Sequence, residues 1–90
     1  MLELIYTTKF KRDLKLMHKR GADVSLLASV LDRLRRGETL EAKYRDHALT
    51  GNYLGFRECH IQPDWLLIYL VNKTELILTA SRTGSHSDLF

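Results

Sequence analysis

The run Phe56-Arg57-Glu58-Cys59-His60-Ile61-Gln62-Pro63-Asp64-Trp65-Leu66-Leu67-Ile68-Tyr69-Leu70-Val71 decides the fold. Phe56 to Ile61 reads as a strand, and Pro63 breaks it because proline has no amide to give to a ladder. Trp65 to Val71 is apolar at every position, as a strand must be when both faces of its sheet are covered. Asn72-Lys73 then turn the chain into Glu75 to Ser81, the third strand of a meander.

Toward the N-terminus the pattern changes period. Leu4-Ile5-Tyr6-Thr7 is rich in strand formers and leads into Thr8, whose hydroxyl is a candidate helix cap. Phe10, Leu14 and Met17 recur at i, i+4 and i+7 and form one face of a helix ending at Gly21; Lys9, Lys11, Arg12, Lys15, Lys19 and Arg20 make up the other face. A second helix starts at Asp23, aligns Leu27, Val30, Leu31 and Leu34, and closes at Arg35-Arg36-Gly37 with cations at the negative end of its dipole. Gly21-Ala22 join the two as an αα-hairpin. From Glu38 to Gly55 periodicity is lost, and a connection of that length is usually functional or disordered. The expected order is β-α-α-β-β-β, an α+β domain with two N-terminal helices packed on a mainly antiparallel sheet. Ninety residues support one core, so residues 1–90 read as a single domain.

Composition excludes several classes. With 44% apolar and 28% charged residues, the chain resembles an ordinary soluble domain, not a disordered one. The longest apolar run, Trp65 to Val71, falls far short of the roughly 20 residues that cross a bilayer. Met1-Leu2-Glu3-Leu4 lacks a basic region ahead of an apolar stretch, so a cytoplasmic protein with no membrane partner is expected. The lone Cys59 can form neither an internal disulfide nor a thiolate metal cluster, and reads as a small core filler. Positive charge is concentrated in residues 1 to 45, with eleven Lys or Arg against six Asp or Glu; residues 46 to 90 hold three against five. Such a field steers polyanions or acidic partners, although a solvated helix face gives the same count.

The chemical residues gather around the meander. Phe56, Glu58 and His60 share one strand face, and Arg57, Cys59 and Ile61 share the other. His60, Asp64 and Trp65 fall at a strand end and its turn, while Arg82 and His86 follow the last strand, which a meander brings close. Taken singly, each has a structural reading. Asp64 is an ordinary turn former, Trp65 fits a core as well as a base-stacking platform, Arg82 could pair with Asp64 or Asp88, and His18 belongs to the basic surface. Only the coincidence of His47, His60, Asp64, Arg82 and His86 points to an enzyme. These imidazoles with Asp64 could instead ligate zinc, but no pair has the close spacing of a metal motif, so neither metal nor cofactor is expected.

Three segments have a family likeness: Asp46-His47-Ala48-Leu49-Thr50-Gly51, then Phe56 to Tyr69, then Arg82-Thr83-Gly84-Ser85-His86-Ser87-Asp88-Leu89-Phe90. Together with the basic helix beginning Phe10-Lys11-Arg12-Asp13-Leu14, they resemble the YafQ branch of the RelE/ParE superfamily of bacterial type II toxins. The resemblance implies a RelE-like fold and a ribosome-dependent, metal-independent mRNA endonuclease that halts translation. It further implies restraint by a cognate antitoxin, and it leaves operator DNA open as a partner of that complex. It assigns His47, His60, Asp64 and His86 to acid-base catalysis and places Arg82, Trp65 and Phe90 around the RNA. Imidazole suits both proton roles in attack by a 2′-hydroxyl, since its unperturbed pKa is about 6.5. The competing class is a non-catalytic binder, either a gyrase poison of the ParE arm or a plain nucleic-acid module; neither needs a histidine-rich end.

Overall fold

The computed structural model describes residues 1–90. Strand β1 (Glu3–Tyr6) leads into helices α1 (Thr8–Lys19) and α2 (Val24–Arg35). A connection with two 3-10 turns, Ala42–Tyr44 and Gly51–Tyr53, holds the two-residue strand β2 (His47–Ala48) between them. Strands β3 (Arg57–Gln62), β4 (Trp65–Asn72) and β5 (Ile77–Gly84) form the meander, and a single helical turn, α3 (His86–Leu89), ends the chain. The sheet order is β1-β5-β4-β3-β2. Only the β1–β5 pair is parallel; the αα-hairpin carries the chain from β1 at one edge of the sheet toward β2 at the other, and the meander then returns it to lie beside β1.

Local chemistry explains the helix ends. Thr7, one residue before the expected Thr8, caps α1: its hydroxyl oxygen accepts from the Phe10 amide at 3.0 Å and its proton goes to the Ser81 carbonyl at 2.7 Å. A single side chain thus ties the helix start to β5. Asp23 caps α2 by accepting from the Ser25 amide at 3.0 Å. Gly21 stands at φ +85°, past the end of α1, in the left-handed region that terminates helices.

The uniformly apolar β4 has both faces covered, by different means. Trp65, Leu67 and Tyr69 join Cys59, Ile61, Leu78 and Ala80 beneath α1 and α2, meeting Phe10, Met17, Leu27, Val30, Leu31 and Leu34. Leu66 and Ile68 face the other way into a smaller cluster with Leu89, closed by Leu49, Tyr53 and Phe56. Leu66, Leu67 and Ile68 have no solvent exposure, and burying side chains of this size stabilises by about 1.5–3 kcal/mol each. The second cluster anchors both the 47–56 connection and α3, the two segments that bring histidines to the site. β5 runs three residues beyond the expected Ser81, so Arg82 lies within the strand and not after it.

Candidate active site

Strand register places the imidazoles. His47 on β2 pairs with Glu58 on β3, and His60 pairs with Leu66 on β4. Residues opposite one another in an antiparallel ladder project to the same face, so His47, Glu58 and His60 stand on the sheet face away from the two long helices. Leu66 also pairs with Gly84, the last residue of the neighbouring strand β5. Ser85 then caps α3, whose first residue is His86, and the His86 ring centroid lies 5.6 Å from that of His60. The result is an open cavity of about 520 Å³ lined by Arg45, His47, Glu58, His60, Pro63 and His86.

Each imidazole is tied down at the same ring nitrogen. His47 Nδ1 contacts the Arg45 carbonyl at 2.6 Å, His60 Nδ1 the Pro63 carbonyl at 3.2 Å, and His86 Nδ1 the Asp64 carboxylate at 3.0 Å. These oxygens only accept, so Nδ1 carries the hydrogen in all three rings and Nε2 is the nitrogen left to exchange a proton. Glu58, almost fully buried, lies between two of them, its oxygens 3.6 Å from His47 Nε2 and 3.7 Å from His60 Nε2. Those separations are beyond hydrogen-bond length and close enough for either imidazole to close on it. His60 forms the sheltered wall of the site while His47 and His86 are half exposed.

α3 is held by a clamp from the far side of the fold. Ser85 accepts from the Asp88 amide at 3.2 Å, and Asp88 accepts from the Ser85 amide at 2.9 Å, a reciprocal capping box. Arg20, just past α1, grips the same carboxylate at 2.7 and 3.2 Å. The guanidinium and the Ser85 amide together hold the Asp88 carboxyl well below the usual carboxylate range. Asp64 accepts from both the ring and the backbone amide of His86, and those bonds likewise lower its pKa. Its geometry is that of a group orienting His86.

The expected site residues therefore divide. His47, His60 and His86 converge, with Asp64 attached through His86. Phe90 is largely exposed beside Tyr53, with ring centroids 5.7 Å apart. Trp65 lies on the opposite sheet face from the three histidines: it is 2% exposed, packed under the helices, with its indole N–H donating to Thr83 Oγ1 at 2.9 Å. Arg82 is bound bidentately to Asp13 of α1 at 2.6 and 3.2 Å and lies outside the cavity lining; its partner is neither Asp64 nor Asp88. Glu58 and Arg45 were not expected. Glu58 shares the strand face of His60, a signal readable in the sequence, whereas Arg45 enters through backbone geometry that leaves no local pattern. The imidazole and carboxylate groups of Glu58, His60 and His86 offer one ligand atom each, all within 4.8 Å of one another. Three protein ligands with an open side can hold a divalent cation, and the carboxylate among them is Glu58, not Asp64.

Comparison with known proteins gives this geometry a context. Residues 2–90 match the family described as bacterial toxin of type II toxin-antitoxin system, YafQ. The chain is 37% identical over 89 residues to the mRNA interferase toxin YafQ of Escherichia coli K12, covering 98% of this chain and 95% of that protein. It superposes on a metal-bound toxin from Helicobacter pylori with a TM-score of 0.94 and 46% identity, over the whole of both chains. Against the E. coli DinJ-YafQ complex the TM-score is 0.90 at 35% identity, covering 100% of this chain and 99% of that one. No helix is long and apolar enough to cross a membrane. In sequence and in fold, this chain belongs to the YafQ family of type II toxin-antitoxin toxins.

Proposed function

We propose that this protein is an mRNA interferase that cuts messenger in the ribosomal decoding site by attack of a 2′-hydroxyl on the adjacent phosphorus. The observation supporting it is the common tethering of three imidazoles at Nδ1, which leaves three Nε2 atoms free for proton transfer around one open cavity. The O2′–P bond forms as the P–O5′ bond breaks; one imidazole takes the 2′-proton and an imidazolium protonates the departing 5′-oxygen. His86, oriented by Asp64, and His60 are the proposed proton-transfer pair, with His47 assisting. Glu58, between the Nε2 atoms of His47 and His60, stabilises whichever of those two rings is protonated. Phe90, exposed at the chain end, stacks on a splayed base. Because each histidine is a proton carrier in its own right, this route needs no metal.

The basic first half of the chain draws the protein to RNA. By analogy with the E. coli relative found with DinJ, an antitoxin holds this toxin in check in the cytoplasm, and operator DNA is a further proposed partner of that complex. The test is primer extension on messenger from an in vitro translation reaction. Wild-type protein is expected to give discrete cuts that persist in chelator, and His86→Ala is expected to give none. DNA breaks with gyrase and intact messenger would overturn the proposal.

A further inference from the structure

Phosphoryl transfer develops negative charge on the non-bridging oxygens, and a site that performs it needs a permanent cation. Arg82 does not line the histidine cavity, and its Nε–Nη2 edge is held bidentately by Asp13. Arg20, Arg33, Arg36 and Arg57 are likewise held by carboxylates. Arg45 has no carboxylate within ion-pair distance, is exposed, and is the only lysine or arginine lining the histidine cavity. We propose that Arg45 is the phosphate-binding cation of the site and that its backbone is the positioning element for His47. The inference rests on the nuclease reading above.

Two further observations converge on it. Arg45 closes the turn Ala42–Tyr44 at φ 50° and ψ 41°, a left-handed conformation that L side chains avoid and that persists where surrounding structure enforces it. This conformation aims the Arg45 carbonyl at His47 Nδ1, 2.6 Å away, fixing that ring's tautomer. A second depression of about 500 Å³, lined by Tyr44, Gln62 and Lys43 among others, adjoins the first, and both share Arg45, His60 and Pro63. A single-stranded RNA running from the histidines into the second depression crosses the boundary that Arg45, His60 and Pro63 form between them, where Arg45 is the only permanent cation. The guanidinium fork binds such a group through two oxygens at once.

The test uses Arg45→Gln, which removes the charge and keeps the backbone conformation, and Arg45→Gly, which removes both the charge and the conformational strain. Lys73→Gln, in a turn away from the site, is the control. Two quantities are measured: cleavage of messenger on programmed ribosomes, and the salt dependence of binding of a single-stranded RNA dodecamer to each protein in a His86→Ala background. Arg45→Gln is expected to lower kcat/KM about 10²-fold and to reduce the slope of log K against log salt by about 0.7, one single-strand phosphate contact. Arg45→Gly is expected to raise the melting temperature while losing activity, a split that a merely structural residue does not give. Lys73→Gln should match wild type. If wild type cuts messenger and Arg45→Gln matches it in both rate and salt slope, the assignment of Arg45 is overturned while the nuclease reading stands. If wild type cuts nothing, both fall together.

Discussion

Replacing Gly84 by Ala should disable the site from outside it. A Cβ at position 84 would lie 3.0 Å from both Cβ and Oδ2 of Asp88, tighter than carbon atoms pack. Asp88 cannot simply turn away, because its carboxylate is held by Arg20 at 2.7 and 3.2 Å and by the Ser85 amide at 2.9 Å. Relief requires α3 to shift by several tenths of an ångström or the clamp to open. Overpacking of this kind costs about 1–3 kcal/mol. For a domain of this size that is a fall in melting temperature of roughly 5–20 °C. His86 rides on the same turn; a misplacement of about 1 Å at a reacting centre costs about 10²-fold, so a shift of several tenths should lower the rate about tenfold. Thermal melts by circular dichroism and cleavage of ribosome-bound messenger read the two effects. A Gly84→Ala protein with wild-type melting temperature and wild-type rate would refute the claim that α3 is clamped through Asp88.

Other consequences follow from the same contacts. Trp65→Phe loses the buried bond to Thr83 and should destabilise the fold by about 1–3 kcal/mol without altering RNA affinity in the folded protein; an RNA-binding defect at full stability would restore a substrate role for Trp65. The Asp88 carboxyl titrates lower in the folded chain than in the unfolded one, so the unfolded state takes up protons first as pH falls. The stability from the Arg20–Asp88 pair is therefore fully present above about pH 4 and lost in stronger acid. The melting-temperature advantage of wild type over Arg20→Gln should shrink in that window, and an advantage constant into strong acid would contradict the pairing. Cys59 has no solvent exposure and its thiol is pushed up to about 12 by burial. It should react with a thiol reagent at neutral pH only after unfolding, and rapid labelling of the native protein would show the core to be open.

The parts legible in the sequence are those set by local periodicity. The two helices follow from the Phe10–Met17 and Leu27–Leu34 stripes, and the meander from Phe56 to Ser81, because apolar spacing reports directly on which face is covered. β2 was hidden because two residues carry no periodicity of their own; His47–Ala48 becomes a strand only by pairing with Arg57 and Glu58. α3 is a single turn that depends on Arg20, 68 residues from Asp88 in sequence. The same distance problem misdirected the reading of Arg82, whose partner Asp13 lies 69 residues away. For Trp65 the signal was present, since alternation along β4 puts it on the same face as Leu67 and Tyr69, under the helices. The histidines could be chosen from the sequence, whereas the positions that orient them, the carbonyls of Arg45 and Pro63, are backbone atoms that any residue supplies.

We propose that imidazoles from β2, β3 and α3 act together on a 2′-hydroxyl and its neighbouring phosphate. The most direct test is the chemistry at the cut ends of a messenger cleaved on ribosomes. Attack by the 2′-hydroxyl leaves a 2′,3′-cyclic phosphate or 3′-phosphate on the upstream fragment and a 5′-hydroxyl on the downstream one, with no cut where that hydroxyl is replaced by hydrogen. A 3′-hydroxyl paired with a 5′-phosphate, or undiminished cutting of the deoxy-substituted message, would contradict it.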